Sequence, residues 1–573
     1  MGPSRSVASA SSVDVGVDRI RRSVRDTPNR VRRSIPRSRG ELRAAVRERF
    51  GIDTRALAAF RVAIGLLVIA DLLLRSRNFH FYYTDDGVVP QELAELYTGD
   101  YAVSIYYYTA DPTVIAALFV LQGLIAIQLI AGYKTRIAMI LTFIGVISLD
   151  HHNPLVLSYA DTLFRLLCFW AIFLPLGERW AVDAVHRSRR PRRTVANLAT
   201  MFVLLQMVFM YVVNGVHKTQ SPLWRSGEAA PLVFGIDEMT FLIGNAMREF
   251  PLALQIGGFA WFVLILFGWL LIALRGRARI LYTMMLMGGH ASFAVTVRIG
   301  AFAYVALAGL LLFLQEPFWR DARRIVNWLT PGSTAEDSYA RGRRLGRRIA
   351  TTMPRGPTID GRFVSVRRGV YNGILVVILV TLLIVAVVVP VQAMVLLDQD
   401  LDQEERWYSA VEETRGIEYV NTAASSLGVD QPEWSVFAPH PRTTDRYYVF
   451  PAETADGEII DVYNDGRPFS FDRHTDELQT QHSTYRERFY MNSIRRAGLG
   501  NNAPRLLADH YCETWQDEHG VELLRLEMYE VTENITSETI DAPDERDRGY
   551  DYIYGQGCGD ESYHIIVTPP SDD

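Results

Sequence analysis

The sequence predicts an all-α polytopic membrane bundle of about nine transmembrane helices, N-terminus inside, with a β-rich extracytoplasmic C-terminal domain. Three observations predict it: nine apolar runs, basic and non-basic segments alternating between them, and a sharp segregation of charge. The chain's balance of −5 hides that segregation. Residues 396–573 hold 38 Asp/Glu against 14 Arg, a balance of −24, so residues 1–395 carry +19. Lys134 and Lys218 are the only lysines. Acidic, lysine-poor surfaces stay hydrated in concentrated salt, so the composition predicts a halophilic source.

Residues 1–54 are Arg- and Ser-rich and lack the apolar core and cleavage site of a signal peptide, which predicts a basic disordered cytoplasmic tail. A helix needs about 20 apolar residues to cross a bilayer. Within 55–315, eight runs approach that length: Leu57–Leu74, Val114–Ala131, Ile137–Leu149, Thr162–Leu176, Val195–Val216, Leu252–Leu274, Ile280–Val297 and Ile299–Leu314. Residues 316–369 read as a basic cytoplasmic linker. The ninth run, Val370–Leu397, is uncharged, with Pro390 as a predicted kink.

Arginine placement sets the orientation. The tail, the Lys134/Arg136 loop, the Arg187–Arg193 cluster, Arg275–Arg279 and Arg320–Arg368 are basic. They alternate with the acidic or near-neutral segments 78–111, 150–160, 219–250 and the C-terminal domain. Nine crossings place every basic segment in the cytoplasm and the domain of residues 398–573 outside a cell membrane, with no indication of nucleic-acid binding.

In that domain, Tyr447–Phe450, Ile459–Val462 and Ile565–Val567 are bounded by turn residues and predict strands. Trp434-Ser-Val-Phe-Ala-Pro-His-Pro441 is expected to pack on it. Asn534-Ile-Thr536 matches a short glycosylation pattern. Cys168 reads as a buried apolar residue. A Cys512–Cys558 disulfide is open on sequence grounds, and the cysteine spacing offers no metal site.

Ionisable side chains inside membrane runs are costly and mark interior contacts or functional positions. Lys218 ends the fifth run in a chain nearly free of lysine. A desolvated amine can act as a base, whereas an interfacial lysine simply snorkels, and the two readings stand level. His290, beside two glycines, reads first as an interior hydrogen-bonded residue. His151 and His152 end the third run. Asp161 and Arg165, four apart, share a helix face and are expected to form a structural ion pair. Arg61 and Asp71 are expected to pair with other helices.

Tyr211-Val-Val-Asn-Gly-Val-His-Lys218 with Trp224-Arg-Ser-Gly227 resembles the active-lysine region of vitamin K-dependent gamma-glutamyl carboxylase, and His290 through Val305 resembles a later helix pair of that family. Phe81–Pro90, Asp161–Gly177 and Trp434–Pro439 are similar to segments of the wider HTTM family. The resemblance implies that Lys218, with His290 and His152, is catalytic, that Tyr211, Trp224 and His217 line a cofactor site, and that the cofactor is a reduced menaquinone-type quinol. In the carboxylase, the lysine deprotonates the quinol, and the strong base formed with oxygen leads to carboxylation of a glutamate, a lyase-type reaction. A peptide or protein on the outer face would be the substrate. Where that family carries a histidine, this chain reads Asn153-Pro-Leu-Val-Leu-Ser-Tyr159, with leucine in its place. Two other classes compete: a non-enzymatic maturation or scaffold protein and, more distantly, a transporter lined by Arg61, Asp71, Asp161 and Arg165.

Overall fold

Each of the nine apolar runs is helical over much of its described length in the computed structural model, which describes residues 38–99, 102–329, 333–355, 361–395, 417–496 and 502–570, so the last two residues of the Val370–Leu397 run lie outside the described residues. In chain order the main helices are α1 (Arg39–Phe50), α2 (Thr54–Arg75), α3 (Pro112–Ala131), α4 (Thr135–His152), α5 (Tyr159–Ile172), α6 (Leu198–Lys218), α7 (Pro251–Leu266), α8 (Gly276–Thr296), α9 (Phe302–Leu310), α10 (Glu316–Leu329), α11 (Ser333–Thr352), α12 (Gly361–Val395), α13 (Tyr485–Arg496) and α14 (Asn502–His519).

Four helical stretches among the described residues are long and apolar enough to cross a membrane: Thr54–Tyr83, Pro112–Ala131, Leu198–Lys218 and Ser365–Ala386. A fifth would be the pair Phe302–Phe313 and Glu316–Leu329, if its 106° bend lies within one span. The other runs are shorter, interrupted or, in α4 and α8, less apolar. α5 has 14 residues, and α7 stops after 16 before a break ahead of Leu270–Ala273.

Helix starts follow local chemistry. Asp53, Asp111 and Asn197 accept backbone N–H groups at the starts of α2, α3 and α6. Residues 39–50 of the predicted tail are helical, with Ser38 capping Glu41, while residues 1–37 lie outside the described residues. Ahead of α2, β1 (Ile52–Asp53) pairs antiparallel with β2 (Thr194–Val195). Arg61, buried in α2, donates to the carbonyls of Ile130, Leu176, Arg179 and Trp180, so it ties loops to the bundle.

The C-terminal domain is a mixed α/β unit. Its six antiparallel strands are β3 (Thr444–Val449), β4 (Pro451–Thr454), β5 (Ile459–Asp461), β6 (Arg467–Pro468), β7 (Leu523–Asn534) and β8 (Arg548–Gly557). The long β7 is central: β3 and β4 pair with one side of it and β8 with the other. α14 packs against β7 and β8, and a Cys512–Cys558 disulfide joins α14 to the residue after β8. Residues 565–567 form no strand; instead Glu527 accepts the N–H groups of Ile566 and Val567.

Buried charges join this domain to the bundle. Asp161 and Arg165 do not pair with each other as expected. Arg165 bonds Asp150 at 2.9 Å and the Gly428 carbonyl at 2.7 Å, while Asp161 accepts from Ser158 and from Arg486 of α13. Arg486 also reaches Asp71, and Arg75 bridges Asp71 and Asp150. A second network joins Asp237 and Glu238 to Arg442, Arg473, Arg488 and Arg546.

Candidate functional site

Tyr211, Asn214, Gly215 and Lys218 fall three, four and seven residues apart and so share one stripe of α6. Gly215 lets α7 approach closely: a Cβ there would lie 2.5 Å from the Leu266 Cα. Gly289 of α8 likewise accommodates the Trp261 ring, which a Cβ would strike. These two close contacts set α6, α7 and α8 around an apolar cavity of about 260 Å³. Small residues on α7 and α8, among them Ala253, Gly257, Gly258 and Gly289, leave the space that larger side chains would fill.

Polar groups enter this cavity at two places. At one, the buried Tyr211 hydroxyl and His290 Nε2 lie 2.8 Å apart. The imidazole is surrounded by Trp261, Phe293 and Phe302, and its Nδ1 is buried without a partner among the described residues. At the other, Lys218 Nζ donates to the carbonyls of Val436 at 3.0 Å and Phe437 at 2.7 Å, and lies 3.6 Å from the centre of the Trp224 ring. Only 2 % of Lys218 is exposed, and among the described residues no carboxylate lies within 4 Å of its nitrogen. It is a buried amine held by carbonyls and a ring face, not a snorkelling one.

The carbonyls come from the Trp434–Phe437 strap. Expected to pack on the outer domain, this segment also bonds α6 and lines the cavity, while Phe437 packs on an apolar cluster that includes Ile535 of that domain. Asn214 Nδ2 donates to the carbonyls of Trp434 at 2.6 Å and Val436 at 3.0 Å, and Trp224 Nε1 to that of Phe437 at 2.8 Å. Tyr159 and Ser435 exchange a hydroxyl bond at 2.8 Å. Trp434 and Phe437 both take positive φ, at 54° and 51°, a conformation non-glycine residues hold only when the surroundings fix it.

The structure therefore gathers Lys218, Tyr211, Trp224 and His290 around one cavity and leaves two other predicted site residues outside it. His217 is half-buried in the last turn of α6 and does not line the space. His152 stacks between Tyr83 and Tyr106, with Nε2 3.2 Å from the Tyr83 carbonyl, in a separate part of the bundle. Sequence reasoning gave no role to Asn214 or Trp261 and did not place Trp434 at this site. Arg61, Asp71, Asp161 and Arg165, considered for a transport path, are held by carbonyls or opposite charges. Among the described residues, no group of three or more His, Cys, Asp or Glu could hold a metal.

Comparison with curated proteins and with solved structures finds no match. Residues 51–319 match the family model of the HTTM domain, a span that contains α2 to α9 and every cavity residue except those of the strap. With apolar helices long enough to cross a bilayer, the chain is an integral membrane protein that carries an HTTM domain over residues 51–319.

Proposed function

We propose that this cavity binds a reduced menaquinone-type quinol and that Lys218 takes the proton from its hydroxyl. The observation that carries the reading is the convergence of a buried amine and a Tyr–His pair on one apolar space. His290 Nδ1, a buried polar atom without a partner among the described residues, fits a ligand oxygen. Bound there, a hydroquinone would supply an ionisable hydroxyl and a ring that oxygen can oxidise.

The amine's surroundings suit proton acceptance. A neutral amine has two N–H groups, and the carbonyls of Val436 and Phe437 take both, so the lone pair is left to receive a proton. The ammonium formed would rest over the Trp224 face, which favours a cation by about 0.5–2 kcal/mol. The apolar walls and the strap would limit water. Neither His152 nor the leucine-bearing Asn153–Tyr159 segment lines this cavity, Tyr159 only bonding the strap at Ser435, so the reading extends to quinol deprotonation and not to carboxylation.

The proposed setting is a nine-crossing bundle in the cell membrane with the acidic domain outside. It is supported by helical segments at all nine apolar runs and by the alternation of basic segments. A protein or peptide substrate would approach from the domain side.

Filling the cavity tests the binding. Gly257 lines it, and a Cβ there meets no atom within 4 Å, so Gly257→Leu projects into open space. Wild-type protein should quench its tryptophan fluorescence on titration with reduced menaquinone, and Gly257→Leu should not. Equal quenching by both proteins would place the quinol elsewhere. No quenching in a folded wild type would favour the non-enzymatic maturation or scaffold reading.

A further inference from the structure

A second recess lies near the loop end of the bundle, where α4, α6 and α12 begin. It holds about 290 Å³ and is lined by Arg136, Arg192, Arg367 and Arg368, with Tyr371 and Asn197. The Tyr371 hydroxyl donates to the Phe173 carbonyl at 2.8 Å and accepts from Asn197 at 3.0 Å. Its ring lies 5.3 Å beneath the Arg136 guanidinium. These bonds fix the floor on which the arginines stand.

Four guanidinium groups around one recess repel one another, and the protein supplies little to offset this. Arg192 shares Glu178 with Arg187 and Arg189. Among the described residues, Arg136, Arg367 and Arg368 have no carboxylate within 4 Å. Three uncompensated forks around a polar floor form a receptor for a compact polyanion, because guanidinium geometry matches phosphate oxygens.

Position narrows the source. Arg367 and Arg368 lie just inside Ser365–Ala386, a stretch apolar enough to cross a membrane and only 6 % buried in the protein. Along α12, Leu375 packs on the bundle while Val376, Val377 and Val380 are exposed. A chain attached to the anion could run along this exposed apolar face of α12. We propose that the recess binds the phosphoryl group of an anionic phospholipid, with Arg136, Arg367 and Arg368 as its ligands. Basic pockets between membrane helices are suited to such headgroups.

The test uses full-length protein in detergent and counts retained lipid by native mass spectrometry after addition of phosphatidylglycerol or phosphatidylcholine. A triple Arg136→Gln/Arg367→Gln/Arg368→Gln variant is compared with Arg344→Gln/Arg347→Gln/Arg348→Gln, which removes the same charge from exposed positions of α11. Wild type and the α11 variant should retain phosphatidylglycerol over phosphatidylcholine, and the recess variant should bind it about tenfold or more weakly. A triple lysine variant, which keeps charge but not the forks, should fall between. Competition by millimolar inorganic phosphate as strong as by lipid would assign a soluble phosphate ligand to the same arginines. Equal loss in the recess and α11 variants, or no preference for phosphatidylglycerol in wild type, would overturn the proposal.

Discussion

The Tyr211 hydroxyl lies 2.8 Å from His290 Nε2, and this bond ties α6 to α8 at the wall of the apolar cavity. Both residues are buried, and among the described residues His290 Nδ1 already lacks a partner. Tyr211→Phe would leave the imidazole with no protein hydrogen bond. Leaving a buried polar group unsatisfied costs about 1–3 kcal/mol. We expect a lower unfolding temperature for Tyr211→Phe, partly restored in Tyr211→Phe/His290→Leu. Additive losses in the double variant would contradict the coupling.

Asn214 holds the strap by two bonds, to the Trp434 and Val436 carbonyls, at the end of the cavity where Lys218 sits. Asn214→Ala should loosen it by about 1–2 kcal/mol, enough to change an open population by about 5- to 30-fold. Amine-reactive labelling reads this directly, because the chain has two lysines and Lys134 is exposed. Lys218 should label several-fold faster in the variant while Lys134 is unchanged. Equal acceleration at both lysines would indicate general unfolding instead.

Arg546 is fully buried and bonds Asp237 at 3.0 Å and Asp445 at 3.2 Å. Breaking a buried pair by removing one partner costs about 3–5 kcal/mol. Arg546→Met should release the C-terminal domain from the 236–248 loop at lower denaturant, read as earlier proteolytic separation of the two. An unchanged profile would show that the network does not hold the interface.

Glu238 faces Arg442 and Arg488. Burial pushes its carboxyl up, but the two guanidinium groups outweigh that and hold it down at about 2. A carboxyl depressed on folding stabilises the protein above its unfolded value of about 4.3 and loses that contribution as pH falls through the folded value. The stability difference between wild type and Glu238→Gln should be constant from pH 7 to about pH 5 and shrink steadily towards pH 2. The full difference is of the order of 3 kcal/mol. A difference that grows on acidification would contradict the assignment.

Much of this was legible in the sequence, and the remainder has identifiable reasons. The rarity of lysine singled out Lys218, and Tyr211, Trp224 and His290 stood in the same motif-bearing stretches. The carbonyls that hold Lys218 come from residues 218 and 219 positions away, and backbone acceptors leave no side-chain signature. Asp161 and Arg165 had the right helical spacing, yet long-range partners such as Arg486, 325 positions from Asp161, prevailed over the local pair. The helix α1 did carry a signal: Ser38 and Glu41 form the start pattern of a helix inside a segment read only for its charge. Backbone bonds from Ile566 and Val567 to the Glu527 carboxylate replaced the strand their composition suggested.

The central claim is that Lys218 is a base for a quinol in this cavity. The most direct measurement supplies purified wild type, Lys218→Ala and Lys218→Arg with reduced menaquinone and oxygen, and follows quinol oxidation products by mass spectrometry. The account predicts product from wild type above the protein-free rate and none above it from either variant, because an arginine keeps the charge but cannot give up its proton. Product formation by Lys218→Arg at the wild-type rate, or none by folded wild type that binds the quinol, would contradict it.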